Sequence, residues 1–536
     1  MKKAMQQETK EISKNAYDEV PYSSFTFAQT SPAYTRSCAY VFGLNSPDHT
    51  TAKVLELGCA SGNNILAFAA AYPKSECVGI DLSPKQIDEG KKRISDLGIK
   101  NLRLETKSIM DIDESFGKFD YIICHGVISW VPKEVQAKIL EICGNNLTPD
   151  GVAYVSYNTM PGWSGVRAIR EMMQYHTANF TEPKTKADQS RLLLKFIKDS
   201  LKNYGKNYYS DIIEAEMNLL QNQSDWYLLH DHLEENNSQY YFHEFIAMAA
   251  KSGLQYLAET NLASMFSGNL PAETAQVLAG AEDIVRIEQY MDFISNRRFR
   301  STLLCHKDRI LRRNIQNEHM MNQFFTSSFK LPEELKTYEY GSGKQISFVA
   351  PNNMSTSTNN IALILGIETL SENKNKPMNL SKISKIVSEK IKKLKLIERF
   401  DDQMITQALA ANFLRCIFTG GITIHMSEGP FKIEVSKKPK LFSLARYQVA
   451  NQSWVANMRH EAIPTNIFDK AIMPHLDGSN TVESLLESLM PKFISGELSI
   501  NSDNKKITEE KELREKLSNF IPEVLKRYAE LGLLEQ

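Results

Sequence analysis

Val54-Leu55-Glu56-Leu57-Gly58-Cys59-Ala60-Ser61-Gly62-Asn63 reads as an apolar strand ending in an acid, then a glycine turn that opens a helix. Glycine at 58 and 62 lets the backbone approach a ligand closely, and the helix N-terminus behind it offers unpaired N–H groups. Outward from this stretch, between about 50 and 160, apolar runs alternate with amphipathic ones: Cys77-Val78-Gly79-Ile80-Asp81, Leu102-Arg103-Leu104, Tyr121-Ile122-Ile123-Cys124 and Val152-Ala153-Tyr154-Val155-Ser156. The alternation predicts βαβ units around a parallel sheet, an α/β fold. Ser83-Pro84-Lys85-Gln86 places a hydroxyl at an N-cap, proline at the first helical position and glutamine three residues after the cap, so a helix is expected from 83 to about 96.

Two cofactor classes use such a turn. A dinucleotide enzyme wants Gly-x-Gly-x-x-Gly, but Ala60 and Asn63 stand at the second and third glycine positions. S-adenosylmethionine carries an ammonium, which Glu56 suits, and a carboxylate, which suits the backbone N–H groups of Gly58, Cys59, Ala60, Ser61, Gly62 and Asn63. The acid at 56 favours S-adenosylmethionine. Asp81-Leu82 ends the second run, where a carboxylate can take both ribose hydroxyls. Ser108-Ile109-Met110-Asp111 follows the third, where an apolar side chain can cover an adenine and an acid can accept from its amino group. His125-Gly126 ends the fourth, beside the expected methyl donor. All four stations fall at strand ends, where ligands of open α/β sheets bind.

The chain has 536 residues, 42% apolar and 24% charged, enough for about three or four domains. Its 63 Lys+Arg against 64 Asp+Glu leave a net charge of −1, which excludes a globally basic nucleic-acid binder. No apolar run is long enough for a membrane helix, and Met1 to Ser13 lacks the apolar centre of a secretory signal, so a cytoplasmic location and no stable membrane insertion are expected. Seven scattered cysteines without a Cys-x-x-Cys pair read as reduced and structural; no metal is expected, although His230-Asp231-His232 resembles a metal pair.

Beyond the parallel repeats, Leu193, Phe196, Ile197, Leu201, Tyr204, Ile213, Met217 and Leu220 recur at helical spacing. Residues 166–230 are therefore expected as a helical insertion, between 1–165 and 231–270 as the cofactor domain. A helix from His243 to Gly253 and a strand at Leu254-Gln255-Tyr256-Leu257 return to the sheet. Residues 271–395 are assigned to a middle domain and 396–536 to a C-terminal domain, both mostly helical. Two basic segments, 286–313 and 374–399, read as solvated helix faces, with phosphate binding or substrate docking as the alternative.

These stations, with Tyr17-Asp18-Glu19-Val20-Pro21-Tyr22-Ser23-Ser24, His125-Gly126-Val127-Ile128-Ser129-Trp130-Val131-Pro132, Ser156-Tyr157-Asn158-Thr159-Met160-Pro161-Gly162-Trp163 and Gln289-Tyr290-Met291-Asp292-Phe293-Ile294-Ser295-Asn296-Arg297-Arg298-Phe299-Arg300, resemble class I methyltransferases with a methyltransferase regulatory domain. Among these they are most similar to the rickettsial protein lysine methyltransferases that modify outer membrane protein B. The resemblance covers nearly the whole chain. It implies a seven-stranded Rossmann-like sheet, methyl transfer from S-adenosylmethionine to lysines of a surface protein, a homodimer formed through the helical insertion, and no nucleic-acid partner. It leans toward the trimethylating branch. Ala60 departs from the middle glycine of the commonest methyltransferase loop and narrows the space near the methionine end.

Methyl transfer asks the protein to align a neutral amine and to let lysine, of pKa near 10.4, shed a proton. Aromatic faces also hold methylated ammonium groups. Tyr22, Trp130, Tyr157 and Trp163 are the aromatic candidates; Asn158 joins Tyr157 at the end of the fifth strand, and His125 orients the cofactor. Two further readings stay open: a methyltransferase for RNA or a small molecule, suggested by the basic segments, and a cofactor-binding regulatory protein without transfer activity.

Overall fold

A computed structural model describes residues 24–535 except 222, 282, 375, 396–400, 503, 504 and 508. Tyr22 and the segment around it lie outside the described residues.

Seven strands form the main sheet: β1 Lys53–Leu57, β2 Glu76–Asp81, β3 Leu102–Thr106, β4 Phe119–Cys124, β5 Leu147–Thr159, β6 Leu254–Glu259 and β7 Phe299–His306. Their order is β3-β2-β1-β4-β5-β7-β6, and Gln239–Tyr240 pairs alongside the end of β5. The first five pair in parallel, whereas β7 runs antiparallel to both β5 and β6. The strands are apolar on both faces because helices cover both: Val54, Ile123 and Tyr154 belong to one core, Leu55, Ile122 and Tyr157 to the other. The expected helix forms as Pro84–Leu97, and the Ser83 hydroxyl accepts from Gln86 N–H at 3.3 Å.

Helices Ser164–Thr177, Pro183–Leu201 and Tyr208–Gln221 make up the insertion, with a small core of its own around Ile169, Met173, Leu194, Ile213 and Leu220. Phe196 and Tyr204, which fit the helical period, are 69% and 78% exposed instead of buried.

Two expected boundaries move. β7 lies beyond residue 270 yet sits inside the catalytic sheet, so that sheet is complete only at His306. The middle unit does not end at 395, because a three-stranded sheet joins Phe324–Ser327 to both Met378–Asn379 and Ile422–His425. Around it pack helices Ile361–Glu372, Leu380–Lys393 and Asp402–Phe418. Helices then alternate with a hairpin, Trp454–Ala456 against Ala462–Pro464, in the C-terminal unit.

The first basic segment is corrected as well. Arg300 is fully buried and donates to Glu259 (2.7 Å), Glu288 (2.9 Å) and Asp292 (2.8 and 2.9 Å), while Arg297 pairs with Asp292 at 3.1 Å. These acids come from other elements, which periodicity within one helix does not reveal. Leu380–Lys393, in the second segment, keeps Lys382 and Lys385 exposed, as a solvated face does.

Candidate functional site

The stations read from the sequence meet at the C-terminal edge of the parallel strands. β1 delivers Glu56, which is only 4% exposed. Its Oε1 accepts from Asn64 Nδ2 at 2.8 Å, and its Oε2 is buried with no hydrogen-bond partner among the described residues. Burial pushes its carboxyl up to about 7, and the Asn64 bond opposes that rise. Besides Asn64, the Ile65 backbone N–H alone among the described residues favours the ionised carboxyl from within the chain by hydrogen bonding, so Oε2 has room for a further donor, and the ammonium of S-adenosylmethionine fits there.

The loop after β1 is left-handed at three places. Gly58 and Gly62 have φ of +68° and +75°, and a Cβ on Gly58 would lie 2.6 Å from Val127. Ala60, with φ +53°, adopts the same conformation despite its Cβ, at a cost of about 1–2 kcal/mol. It is held by Asp81: Oδ2 accepts from Ala60 N–H at 2.8 Å and Oδ1 from Ser83 N–H at 2.9 Å. The carboxylate expected to meet the ribose thus also ties the cofactor loop to the next turn. Leu82 beside it is 38% exposed. On the following turn the Ser108 hydroxyl accepts from Met110 N–H at 3.2 Å, Ile109 is half-buried, and Met110 and Asp111 are exposed.

His125 and Gly126 follow β4. The His125 ring is held by Tyr154 OH at 2.9 Å and Ser156 Oγ at 3.0 Å, and Ser156 Oγ also accepts from Gly126 N–H at 2.9 Å. Phe27 lies against the ring with centroids 4.1 Å apart, and Phe299 stands edge-on at 6.4 Å. Burial pulls the imidazole down to about 4, so it is neutral at physiological pH.

Sequence reasoning missed what braces this edge. Residues 24–30 cross the loop as a strap: Asn63 donates to Ser24 through its side chain (2.8 Å) and its backbone (3.1 Å), and Phe27 N–H donates to Asn64 Oδ1 at 3.0 Å. Arg93, on the helix after β2, donates to Ser61 O, Ser61 Oγ and Asn63 Oδ1 and pairs with Glu89. None of these has a periodic signature; the one local cue was a second asparagine beside Asn63.

Some expected residues lie elsewhere. Tyr157, expected at the mouth, is fully buried, stacked on Phe245 at 3.8 Å and bonded to Thr302 at 3.1 Å, because it points to the opposite face of β5 from Tyr154 and Ser156. Trp130 packs edge-on to Trp163 at 6.4 Å beneath the Arg170 guanidinium at 5.5 Å, which roots the helical insertion. Asn158 shares the face of Ser156, and its buried Nδ2 has no partner among the described residues. His232 is bonded to Glu216 at 2.8 Å, and the described residues contain no group of three or more His, Cys, Asp or Glu arranged to hold a metal ion.

A cleft of about 1370 Å³ is lined by Gln29, Phe299 and Ser301 of the catalytic unit, Phe329 and His425 of the middle unit, and Arg459 of the C-terminal unit, while His125 and the residues of the glycine loop are not part of its wall. Tyr154 OH donates to Ser301 Oγ at 3.0 Å, which connects the cleft wall to the His125 network.

The strand order with one reversed strand, the glycine loop and the orphaned acid at the end of β1 define an S-adenosylmethionine-dependent methyltransferase. Three family models match the chain: a methyltransferase domain over 48–231, a predicted methyltransferase regulatory domain over 224–306 and a PKMT C-terminal winged helix domain over 437–533. PKMT2 from Rickettsia typhi, whose structure is also solved in complex with AdoHcy, shares 38% identity with a TM-score of 0.85, over 96% of this chain and 100% of that one. An uncharacterized protein of Rickettsia prowazekii is 42% identical over 529 residues, 97% of this chain and 94% of its own length. The chain belongs to the PKMT family.

Proposed function

We propose that this methyltransferase acts on the side-chain amines of lysines in a protein, with a bacterial outer membrane protein B-like surface protein as its acceptor in the cytoplasm, and carries them to trimethyl-lysine. The observation that carries this reading is the cleft shared by three units. At about 1370 Å³ it exceeds the roughly 300–1,000 Å³ of a small-molecule pocket, and its wall residue Ser301 is joined through Tyr154 to His125.

The bound cofactor supplies a methyl group already activated on its sulfonium. Glu56 would hold its methionine end and Asp81 would meet its ribose. Because the amides of Cys59, Ala60, Gly62 and Asn63 donate to Ile80, Asp81, Cys59 and Ser24, the amide role expected of the whole loop falls to Gly58 and Ser61. Ile109 and Met110 cover the adenine. A neutral imidazole near pKa 4 is too weak a base for an ammonium, so His125 positions while the entering lysine loses its proton to water. Phe27 and Phe299 take the aromatic role expected of Tyr157 and Trp130, since their rings flank His125 where a methylated amine is held by cation–π attraction.

Incubation with labelled S-adenosylmethionine, an outer membrane protein B fragment and total RNA tests the reading. Label is expected in lysines of the protein, and mass spectrometry gives the number of methyl groups. Label in RNA alone would sink the proposal; binding without transfer to any acceptor would favour a regulatory protein.

A homodimer through the insertion is part of the same reading, supported by Tyr175, Phe196, Tyr204 and Tyr208 standing 69–89% exposed on its helices. Light scattering that reports a monomer at micromolar concentration would refute it.

Glu56 predicts a pH dependence. In the ligand-free protein its carboxyl sits near 7, above its unfolded value, so its stabilising contribution is present at low pH and lost as pH rises through about 7. The cofactor ammonium wants the ionised form, so affinity moves the other way. Binding of S-adenosylhomocysteine is expected to tighten by up to about tenfold per pH unit below about pH 7 and to level off above it. Calorimetry checks this, and Glu56→Gln is expected to weaken binding and flatten the profile.

A further inference from the structure

His460 is at the tip of the hairpin between Trp454–Ala456 and Ala462–Pro464, with φ +65° and 5% exposure. A left-handed backbone is uncommon for a residue with a side chain and persists only where the surroundings hold it. The imidazole leaves its own unit and enters the catalytic one, where Nε2 is 2.8 Å from Asn64 Oδ1. Burial pulls its pKa down to about 4, so the ring is neutral, and because an amide oxygen can only accept, Nε2 carries the proton.

The Asn64 amide can sit only one way. Phe27 N–H is an obligate donor to Oδ1 at 3.0 Å, and the Thr30 hydroxyl donates to Phe27 O at 2.8 Å, which leaves its oxygen to accept from Asn64 Nδ2 at 3.0 Å. With Oδ1 receiving Phe27 and His460, Nδ2 is directed at Glu56 Oε1, and Oε2 is left for the cofactor. Two further contacts seat the same unit here: Trp454 against Phe25 at 5.2 Å, and Tyr447 OH donating to Asp96 at 2.8 Å.

We propose that His460 is a positioning residue for the cofactor: as the second donor to Asn64 Oδ1, beside Phe27 N–H, it holds that amide in place and through it orients Glu56, so the C-terminal unit completes the cofactor site from 396 residues away in the chain. The proposal rests on the reading of Glu56 as the partner of the cofactor ammonium.

The test uses the full chain and S-adenosylhomocysteine affinity by calorimetry, with melting temperature as the folding control. His460→Ala is expected to weaken binding about tenfold, the loss of roughly one buried hydrogen bond. His460→Gln, whose amide N–H can reach the same acceptor, is expected to restore affinity to within about threefold of the parent. Tyr447→Phe removes a docking bond that does not reach Asn64 and is expected to leave affinity unchanged. Asn64→Ala combined with His460→Ala is expected to cost less than the sum of the two, because they act through one bond. Unchanged affinity in His460→Ala, or equal losses in the alanine and glutamine variants, overturns the proposal. Should His460→Ala not fold, His460→Met fills the space without donating and takes its place. Glu56→Gln separates the two readings: parent-like affinity there overturns the assignment of Glu56, whereas a loss there with parent-like His460→Ala overturns only the role of His460.

Discussion

Arg300→Met is expected to destabilise the catalytic unit by about 3–5 kcal/mol, the cost of breaking a buried ion network by removing one partner. Among the described residues Arg300 is the one fully buried cation between Glu259, Glu288 and Asp292, with the more exposed Arg297 pairing to Asp292 beside it, and its guanidinium also lies 3.9 Å from the centre of the Phe242 ring. Burial already pushes the carboxyls of Glu288 and Asp292 above their usual range, and the guanidinium opposes that rise. Without it they are driven further up, and the folded state takes up protons that the unfolded state does not hold. The sign follows: the deficit is largest at alkaline pH and shrinks as acid neutralises the cluster. Urea unfolding of parent and variant at about pH 8 and about pH 5.5 measures both effects. A variant within about 1 kcal/mol of the parent at the higher pH would show that the three acids find other partners.

Asp81→Ala is expected to weaken S-adenosylhomocysteine binding by about 10- to 100-fold or more, the loss of one or two hydrogen bonds to a charged group. Two consequences act in one direction. The ribose loses a charged acceptor, and Ala60 N–H and Ser83 N–H lose theirs, which frees a loop held in a left-handed conformation. Asp81→Asn keeps one side-chain oxygen and is expected to fall between the parent and the alanine variant. Calorimetry on the three proteins decides; equal affinities would move the ribose to another residue.

Much of the cofactor edge was legible from residues 54–126. Strands of five or six residues with apolar alternation, a glycine turn and an acid at a strand end leave signals within a few positions, and the structure puts those strands and turns side by side. The acceptor side was less legible. Tyr157 and Asn158 are neighbours in sequence, but the period of two along β5 sends one into the core and leaves the other on the face of Ser156. Phe27 and Phe299, whose rings reach His125, come from opposite ends of the catalytic unit; Phe27 sits in no motif, and the segment 289–300 that holds Phe299 gives no sign that its ring turns toward His125. The basic segment at 286–313 looked like a solvated face because Arg300 meets Glu288 and Asp292 only across a helix-to-strand turn, and Glu259 from a different strand.

From sequence alone came the sheet, its cofactor class and the presence of a helical insertion, because each depends on spacing among residues a few positions apart. Only the tertiary structure decided where the units end, which aromatic rings flank His125, and that His460 reaches Asn64 across 396 positions. Hydrogen bonds and ion pairs between distant segments have no period along the chain; they arise only after burial of the apolar faces brings those segments together.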